Sequence, residues 1–132
     1  MPCRVLIVDD CDTTRMGLSR ILRNAGFDTV AMANGADALA FLKEGHSAHV
    51  IVLDAVMPVM DGWTFRRAQL ADPWNADIPV VALTAVTARS ARGLSASATF
   101  QKPLDFRRLV DTLRAICRNA ARKTKRAHQT WH

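Results

Sequence analysis

Arg4-Val5-Leu6-Ile7-Val8-Asp9-Asp10 is the stretch on which the fold turns, and Val50-Ile51-Val52-Leu53-Asp54 repeats its design. Each holds four apolar residues in succession and then stops on a carboxylate. Four apolar residues without polar alternation read as a strand covered on both faces, the habit of parallel sheets packed between helices. Ile78 to Leu83 is a third such strand, ending at Thr84. Two weaker ones complete the set: Thr29 to Ala33, expected near an edge, and Ala98 to Gln101, which ends at Lys102-Pro103.

Helical spacing fills the intervals. Leu18, Ile21, Leu22 and Ala25 fall at i, i+3, i+4 and i+7, one face of a helix that Gly26 stops. Asn34-Gly35 reads as a turn or cap before a second helix, which turns Ala38, Phe41 and Leu42 inward and ends at Gly45. A short helix after Gly62 is expected to bury Phe65 and Leu70 and to stop near Asp72-Pro73. From Ala85 to Ser97 only Val86 and Leu94 are large apolar anchors, so a helix there should be short. Phe106, Leu109, Val110, Leu113, Ile116 and Cys117 then keep helical spacing to the end of the body. Strand and helix in regular alternation mean an α/β fold: a mostly parallel sheet with helices on both faces, a three-layer sandwich.

A length of 132 residues favours one domain and suffices for a hydrophobic core without disulfides. Apolar residues make up 49% and charged residues 23%, which fits a soluble globular chain. No apolar run approaches the roughly 20 residues of a membrane span. Met1-Pro2-Cys3-Arg4 leads straight into a strand and offers no signal peptide. Cys3, Cys11 and Cys117 are an odd, scattered set, so neither a disulfide framework nor a zinc site is expected, and a reducing cytoplasm fits. The net charge of +6 is uneven: residues 1–104 are neutral, and residues 105–132 carry all of it. A basic balance confined to one end gives little reason to read the whole body as a nucleic-acid binder.

Every strong strand ends on a chemically capable residue: Asp9 and Asp10, Asp54, Thr84, and then Lys102. In open parallel sheets the functional crevice lies outside the carboxyl ends of the strands. Three carboxylates gathered there repel unless something positive sits among them, and a hard divalent cation held by oxygens, Mg²⁺ above all, answers that need. Lys102 adds a second positive charge and Thr84 a hydroxyl donor, a set suited to phosphoryl oxygens. Helix capping and turn formation explain any one of these residues, but not all five together.

With these motifs the chain resembles a response-regulator receiver domain, of the single-domain chemotaxis-regulator kind, over residues 4 to about 118. Val8-Asp9-Asp10 is similar to the family's acidic pair, and Leu53-Asp54-Ala55-Val56-Met57-Pro58-Val59-Met60-Asp61-Gly62 to its phosphoacceptor motif. Leu83-Thr84-Ala85 resembles its switch threonine, and Lys102-Pro103 its lysine and proline. The resemblance implies a flavodoxin-like sheet of order 2-1-3-4-5. It implies that Asp54 takes a phosphoryl group from a histidine kinase, a phosphotransfer protein or a small acyl phosphate, as a phosphoacceptor with slow self-dephosphorylation rather than an enzyme. Asp9, Asp10, Asp54 and the Val56 carbonyl would hold Mg²⁺. Lys102, Thr84 and the Ala85 amide would contact the phosphoryl oxygens, and the Lys102-Pro103 peptide would be cis.

Two features depart from the family pattern. Eighteen positions separate Thr84 from Lys102, fewer than usual, and the shortfall lies in the fourth helix. The family's switch aromatic, three before the lysine, is replaced by Thr99, while Phe100 sits one place later and should point to the opposite face. Two other readings use the same residues. One is a receiver-like scaffold that does not switch. The other is a haloacid-dehalogenase-like phosphatase, suggested by Asp10-Cys11-Asp12-Thr13-Thr14, which would need a late acidic motif where only Asp105 and Asp111 are at hand.

Cys11, beside two carboxylates, should hold its proton, which disfavours a redox role. Trp63 and Trp74 read as packing residues, and His46 and His49 as solvated ones without a third metal ligand. The receiver is expected to span residues 1–118 and a basic tail residues 119–132, too short for a DNA-binding output domain. Arg107, Arg108, Arg114, Arg118, Arg122 and Arg126 make a basic ridge suited to an acidic protein partner, with direct DNA binding disfavoured and a monomer or weak dimer expected. A solvated tail is the plainer alternative.

Overall fold

Successive side chains of a strand point to opposite faces, so each central strand of this chain feeds two cores. Val5 and Ile7, Val50 and Val52, and Val81 and Leu83 pack with Leu18, Leu22, Leu109 and Leu113. Leu6 and Val8, Ile51 and Leu53, and Val80 pack with Ala38, Leu42 and Phe65. The structure, a computed structural model, describes residues 3–55, 60–84, 94 and 96–130, with the backbone alone for 120–130. Strands β1 (Arg4–Val8), β2 (Asp28–Met32), β3 (Val50–Asp54), β4 (Val80–Thr84) and β5 (Ala98–Gln101) form one parallel sheet, ordered β2-β1-β3-β4-β5. Helices α1 (Asp12–Asn24) and α4 (Phe106–Thr130) cover one face, and α2 (Gly35–Lys43) and α3 (Gly62–Leu70) the other. This is the expected flavodoxin-like receiver fold.

β3 and β4 are buried at all five positions, while β2 and β5, at the sheet edges, are only partly covered. Full burial of one Val, Leu or Ile side chain is worth about 1.5–3 kcal/mol, so the unbroken apolar runs sit where they stabilise most. The expected short helix between β4 and β5 falls on residues 85–93 and 95, outside the described residues.

The ends of the elements are fixed locally. Asn34 Oδ1 accepts the Asp37 amide at 2.8 Å and caps α2, and Asp61 Oδ1 accepts the Thr64 amide at 2.8 Å and caps α3. Gly26, at φ +100°, ends α1 in a conformation that side chains resist. Gly62 is required for a different reason: a Cβ there would lie 3.0 Å from the Ala55 Cα. Its absence lets α3 begin directly against the end of β3, with the Gly62 amide donating to the Ala55 carbonyl at 3.0 Å.

Two expectations are corrected. Leu70 is exposed, and the inward face of α3 is Gly62, Phe65, Arg66 and Gln69. Gln69 Nε2 donates to the Asn75 and Ile78 carbonyls at 3.0 and 2.9 Å, and its Oε1 accepts from Arg66 at 2.8 Å. The loop into β4 turns these carbonyls inward, and an amide satisfies them where leucine could not. Arg66 Nε donates to the Leu94 carbonyl at 2.8 Å, and burial pushes its guanidinium below the ordinary arginine value.

The second correction concerns the cysteines. Cys3 and Cys117 form a disulfide, with Cα atoms 6.1 Å apart and 114 residues between them in sequence. Their separation along the chain hides this, because the last helix runs back antiparallel to the strands. Its middle, at Cys117, therefore reaches the amino ends of the strands, where Cys3 precedes β1. Cys11 is free and exposed.

Candidate functional site

Parallel pairing in register brings the carboxyl ends of β1, β3, β4 and β5 to one edge, where Asp54 pairs with Leu83 and Thr84 with Gln101. Asp9, one residue beyond β1, is fully buried, Asp54 nearly so, and Asp10 is exposed. One carboxylate oxygen from each of the three lies within 4.8 Å of the others. Lys102 Nζ reaches into this cluster, 3.4 Å from Asp9 Oδ2 and 3.5 Å from Asp54 Oδ2. The Lys102 amide donates to the Thr84 carbonyl at 2.8 Å, which extends the sheet by one residue and fixes the lysine's root. The Lys102-Pro103 peptide is cis.

Electrostatics follow from this crowding. Burial pulls the Lys102 ammonium toward neutrality, but Asp54 and Asp9, through charge and hydrogen bonds, outweigh it and hold the pKa above the ordinary lysine value. Among the described residues, Lys102 against three carboxylates leaves the cluster rich in negative charge and oxygen donors. Hard oxygen donors with an exposed member suit a divalent cation such as Mg²⁺. Arg15, which the sequence reading missed, donates to the Asp9 carbonyl at 2.8 Å and pairs with Asp12. Its place on the first turn of α1 was the available signal.

Thr84 is buried at the strand end and shares the sheet face of Ala82. Phe100 pairs in register with Leu83 and packs on the opposite face, against the core that holds Leu109, while Thr99 is exposed. Thr84 and the nearby aromatic ring therefore lie on different sides of the sheet. The Val56 carbonyl and the Ala85 amide lie outside the described residues.

The remaining candidates do not join the cluster. Asp12 is exposed and paired with Arg15, and among the described residues neither Asp105, at the start of α4, nor Asp111, on it, joins the acidic cluster as the late motif of a phosphatase would. Hydrogen bonding from Thr14 holds the Cys11 thiol below its ordinary value, and the opposing effect of Asp9 is weaker, contrary to expectation. His46 stacks on Phe41, with ring centroids 4.7 Å apart, and His49 Nδ1 accepts the Arg4 amide at 2.9 Å. Trp63 packs beside Ala55, Ala82 and Leu94, whereas Trp74 is exposed. Arg107, Arg108, Arg114 and Arg118 are exposed on α4, and Arg114 donates to the Ala25 carbonyl at 3.1 Å. The side chains of Arg122 and Arg126 lie outside the described residues.

The sequence model of the response regulator receiver domain matches residues 5–114. The chain belongs to this family. It is a two-component signalling domain of the phosphoacceptor type rather than an enzyme in the ordinary sense. The receiver is 34% identical over 122 residues to the response regulator PleD of Caulobacter vibrioides (strain NA1000 / CB15N), covering 89% of this chain and 27% of PleD. It is 34% identical over 125 residues to the response regulator MprA of Mycobacterium sp. (strain KMS), covering 92% of this chain and 53% of MprA. The chain thus spans about a quarter to a half of these curated relatives. Among solved structures, the chemotaxis protein CheY4 of Vibrio cholerae matches with a TM-score of 0.80 at 29% identity, over 88% of this chain and 99% of CheY4. Among the described residues, no helix is long and apolar enough to cross a membrane.

Proposed function

We propose that the receiver accepts a phosphoryl group on Asp54 and that this modification controls the binding of a protein partner. The observation that carries the reading is the approach of Asp9, Asp10 and Asp54 to within 4.8 Å with Lys102 Nζ among them. An Asp54 carboxylate oxygen attacks phosphorus as the bond to the donor breaks, the donor being a histidine kinase, a phosphotransfer protein or a small acyl phosphate. Lys102 is already charged beside that carboxylate and takes one phosphoryl oxygen, while the Thr84 hydroxyl and the Ala85 amide donate to others. Asp9, Asp10 and Asp54 fit Mg²⁺, which when bound would supply positive charge against the phosphoryl oxygens, and the family resemblance would add the Val56 carbonyl as a further ligand. Positioning and charge neutralisation are all that phosphoryl transfer asks of these residues.

In this reading residues 1–118 are the receiver and 119–132 a basic extension, and the protein works in the cytoplasm as a monomer or weak dimer. Arg107, Arg108, Arg114 and Arg118, continued in sequence by Arg122 and Arg126, offer an acidic protein partner a positive surface. A second reading, a receiver fold used as a non-switching scaffold, draws support from one observation: Thr84 and Phe100 lie on opposite sheet faces, so an inward turn of the threonine does not carry the ring with it.

Incubation with acetyl phosphate decides between them. Phosphorylated receiver should carry one acid-stable, base- and hydroxylamine-labile group, dependent on Mg²⁺ and absent from Asp54→Asn. Labelling that persists in Asp54→Asn contradicts the assigned nucleophile, and failure to label with any donor favours the scaffold.

A further inference from the structure

The amino end of the sheet holds a second chemically capable pair. Cys3 immediately precedes β1, and its carbonyl accepts the Asp28 amide at 3.0 Å, so strand pairing fixes its backbone. Cys117 sits on α4, one turn after the fully buried Leu113. The two sulfurs are bonded across 114 residues of sequence. Both side chains are only partly buried against the Val5 and Leu109 core, so each borders solvent. Beyond the pair Arg118 and Asn119 are exposed, and the α4 backbone runs on to Thr130. The turn around Cys117 is held by Leu113 and Ile116 packing, by the Arg114 hydrogen bond to Ala25, and by this covalent bond.

We propose that Cys3 and Cys117 form a reversible redox site. Thiol–disulfide exchange with a low-molecular-weight disulfide of the glutathione class clamps the root of the basic arm, and reduction releases it. The step balances. One protein thiolate attacks the small disulfide and expels a small thiolate, leaving a mixed disulfide; the second protein thiolate attacks that and expels the other. Two protein thiols and one small disulfide become one protein disulfide and two small thiols, with two electrons passing to the small molecule.

Three observations favour reversal over a permanent staple. Both cysteines are only partly buried, at the border of the core rather than inside it, which favours access by an exchanging thiol. The Cys3 backbone is held by pairing with β2 whether or not the bond is present, so one partner stays in place for the bond to close again when the α4 root returns. In a cytoplasm, the compartment that the phosphoacceptor reading implies, disulfides are transient and redox-sensing rather than structural; in this respect alone the redox site rests on that reading. The consequence falls on the segment from Arg118 onward, which carries Arg122, Lys123, Lys125 and Arg126 and no acidic residue. Oxidation fixes where this arm begins, and reduction lets its root open. Cys3 and Asp9 stand at opposite ends of β1, roughly 20 Å apart at about 3.3 Å per residue, so the redox state leaves the acidic site unchanged.

The test uses the full chain carrying Cys11→Ser, so that only the pair can react. The protein is equilibrated in mixtures of reduced and oxidised glutathione, alkylated with N-ethylmaleimide and weighed intact, with hydrogen exchange measured at both extremes. The number of labels should fall from two to none without dimer formation. The amides of residues 114–118 should exchange at least about tenfold faster in the reduced form, with β3 unaffected. Cys117→Ser in the same background should exchange like the reduced form in every mixture. Two labels in oxidised glutathione, no label in reduced glutathione, or equal exchange in both forms overturns the proposal. Acetyl phosphate labelling run in parallel keeps the two readings separate, since a failed thiol titration leaves it intact and the reverse also holds.

Discussion

At the carboxyl edge of the sheet three carboxylates face one ammonium, whereas at the amino edge buried groups are matched donor to acceptor and joined by a covalent bond. The same strands make both edges, so the contrast lies in the residues that flank each strand. Asp9, Asp10 and Asp54 repel one another in the absence of a bound cation, and Lys102 offsets part of that repulsion. Gln69, by contrast, satisfies two carbonyls and Arg66, and Cys3–Cys117 ties the first strand to the last helix. One edge concentrates like charge, and the other contributes stability that tolerates it. Substitutions at the amino edge should therefore cost stability and spare chemistry, and those of the clustered carboxylates at the other edge should do the reverse.

The largest stability effect should come from the disulfide. Replacing Cys3 and Cys117 together by alanine should lower the unfolding free energy of the oxidised chain by about 2–4 kcal/mol, since the bond closes a very long loop. Denaturant melts measure this, and labelling by acetyl phosphate should be unchanged. Gln69→Met comes next: it keeps the volume but strips the Asn75 and Ile78 carbonyls of their donor, at about 1–3 kcal/mol in the same melts. Loss of labelling in either variant would break the separation between edges.

At the other edge the sign reverses. Asp10→Asn removes one of the repelling charges and should leave stability without divalent ions equal or higher, by up to about 1 kcal/mol. The same variant should lose most of the thermal stabilisation that wild type gains from Mg²⁺. The smallest effect is at the Asp61 cap. Thr64 hydrogen bonding holds its carboxyl below the usual carboxylate value. A depressed pKa contributes stability that is present above the ordinary value and lost as pH falls through the lowered one. Asp61→Ala should therefore cost about 1 kcal/mol at neutral pH, and the difference should vanish in acid melts.

Much of this was legible in the sequence because burial on both faces demands unbroken apolar runs. Val5–Val8, Val50–Leu53 and the run into Thr84 announced the central strands, and the residue ending each run announced the acidic edge. Gln69 was illegible, because an amide turned inward looks like a surface residue until the carbonyls it meets are known. Leu70 was misread for the same reason, as hydrophobicity chose a face that hydrogen bonding decided. The Cys3–Cys117 bond depends on which turn of an antiparallel helix comes level with the start of β1, which spacing along the chain does not encode. The Phe100 side followed from strand alternation alone and was legible.

The most direct test of the central claim is hydrogen exchange of the oxidised full chain with Mg²⁺ and beryllofluoride, a mimic of a phosphoryl group on a carboxylate. Added protection is predicted at Asp9 to Cys11, Asp54 to Ala55, Thr84 and Lys102, with none at Cys3, Asn75 or Ile78. Protection spread equally over both edges, or absent from the carboxyl edge, would contradict the division between them.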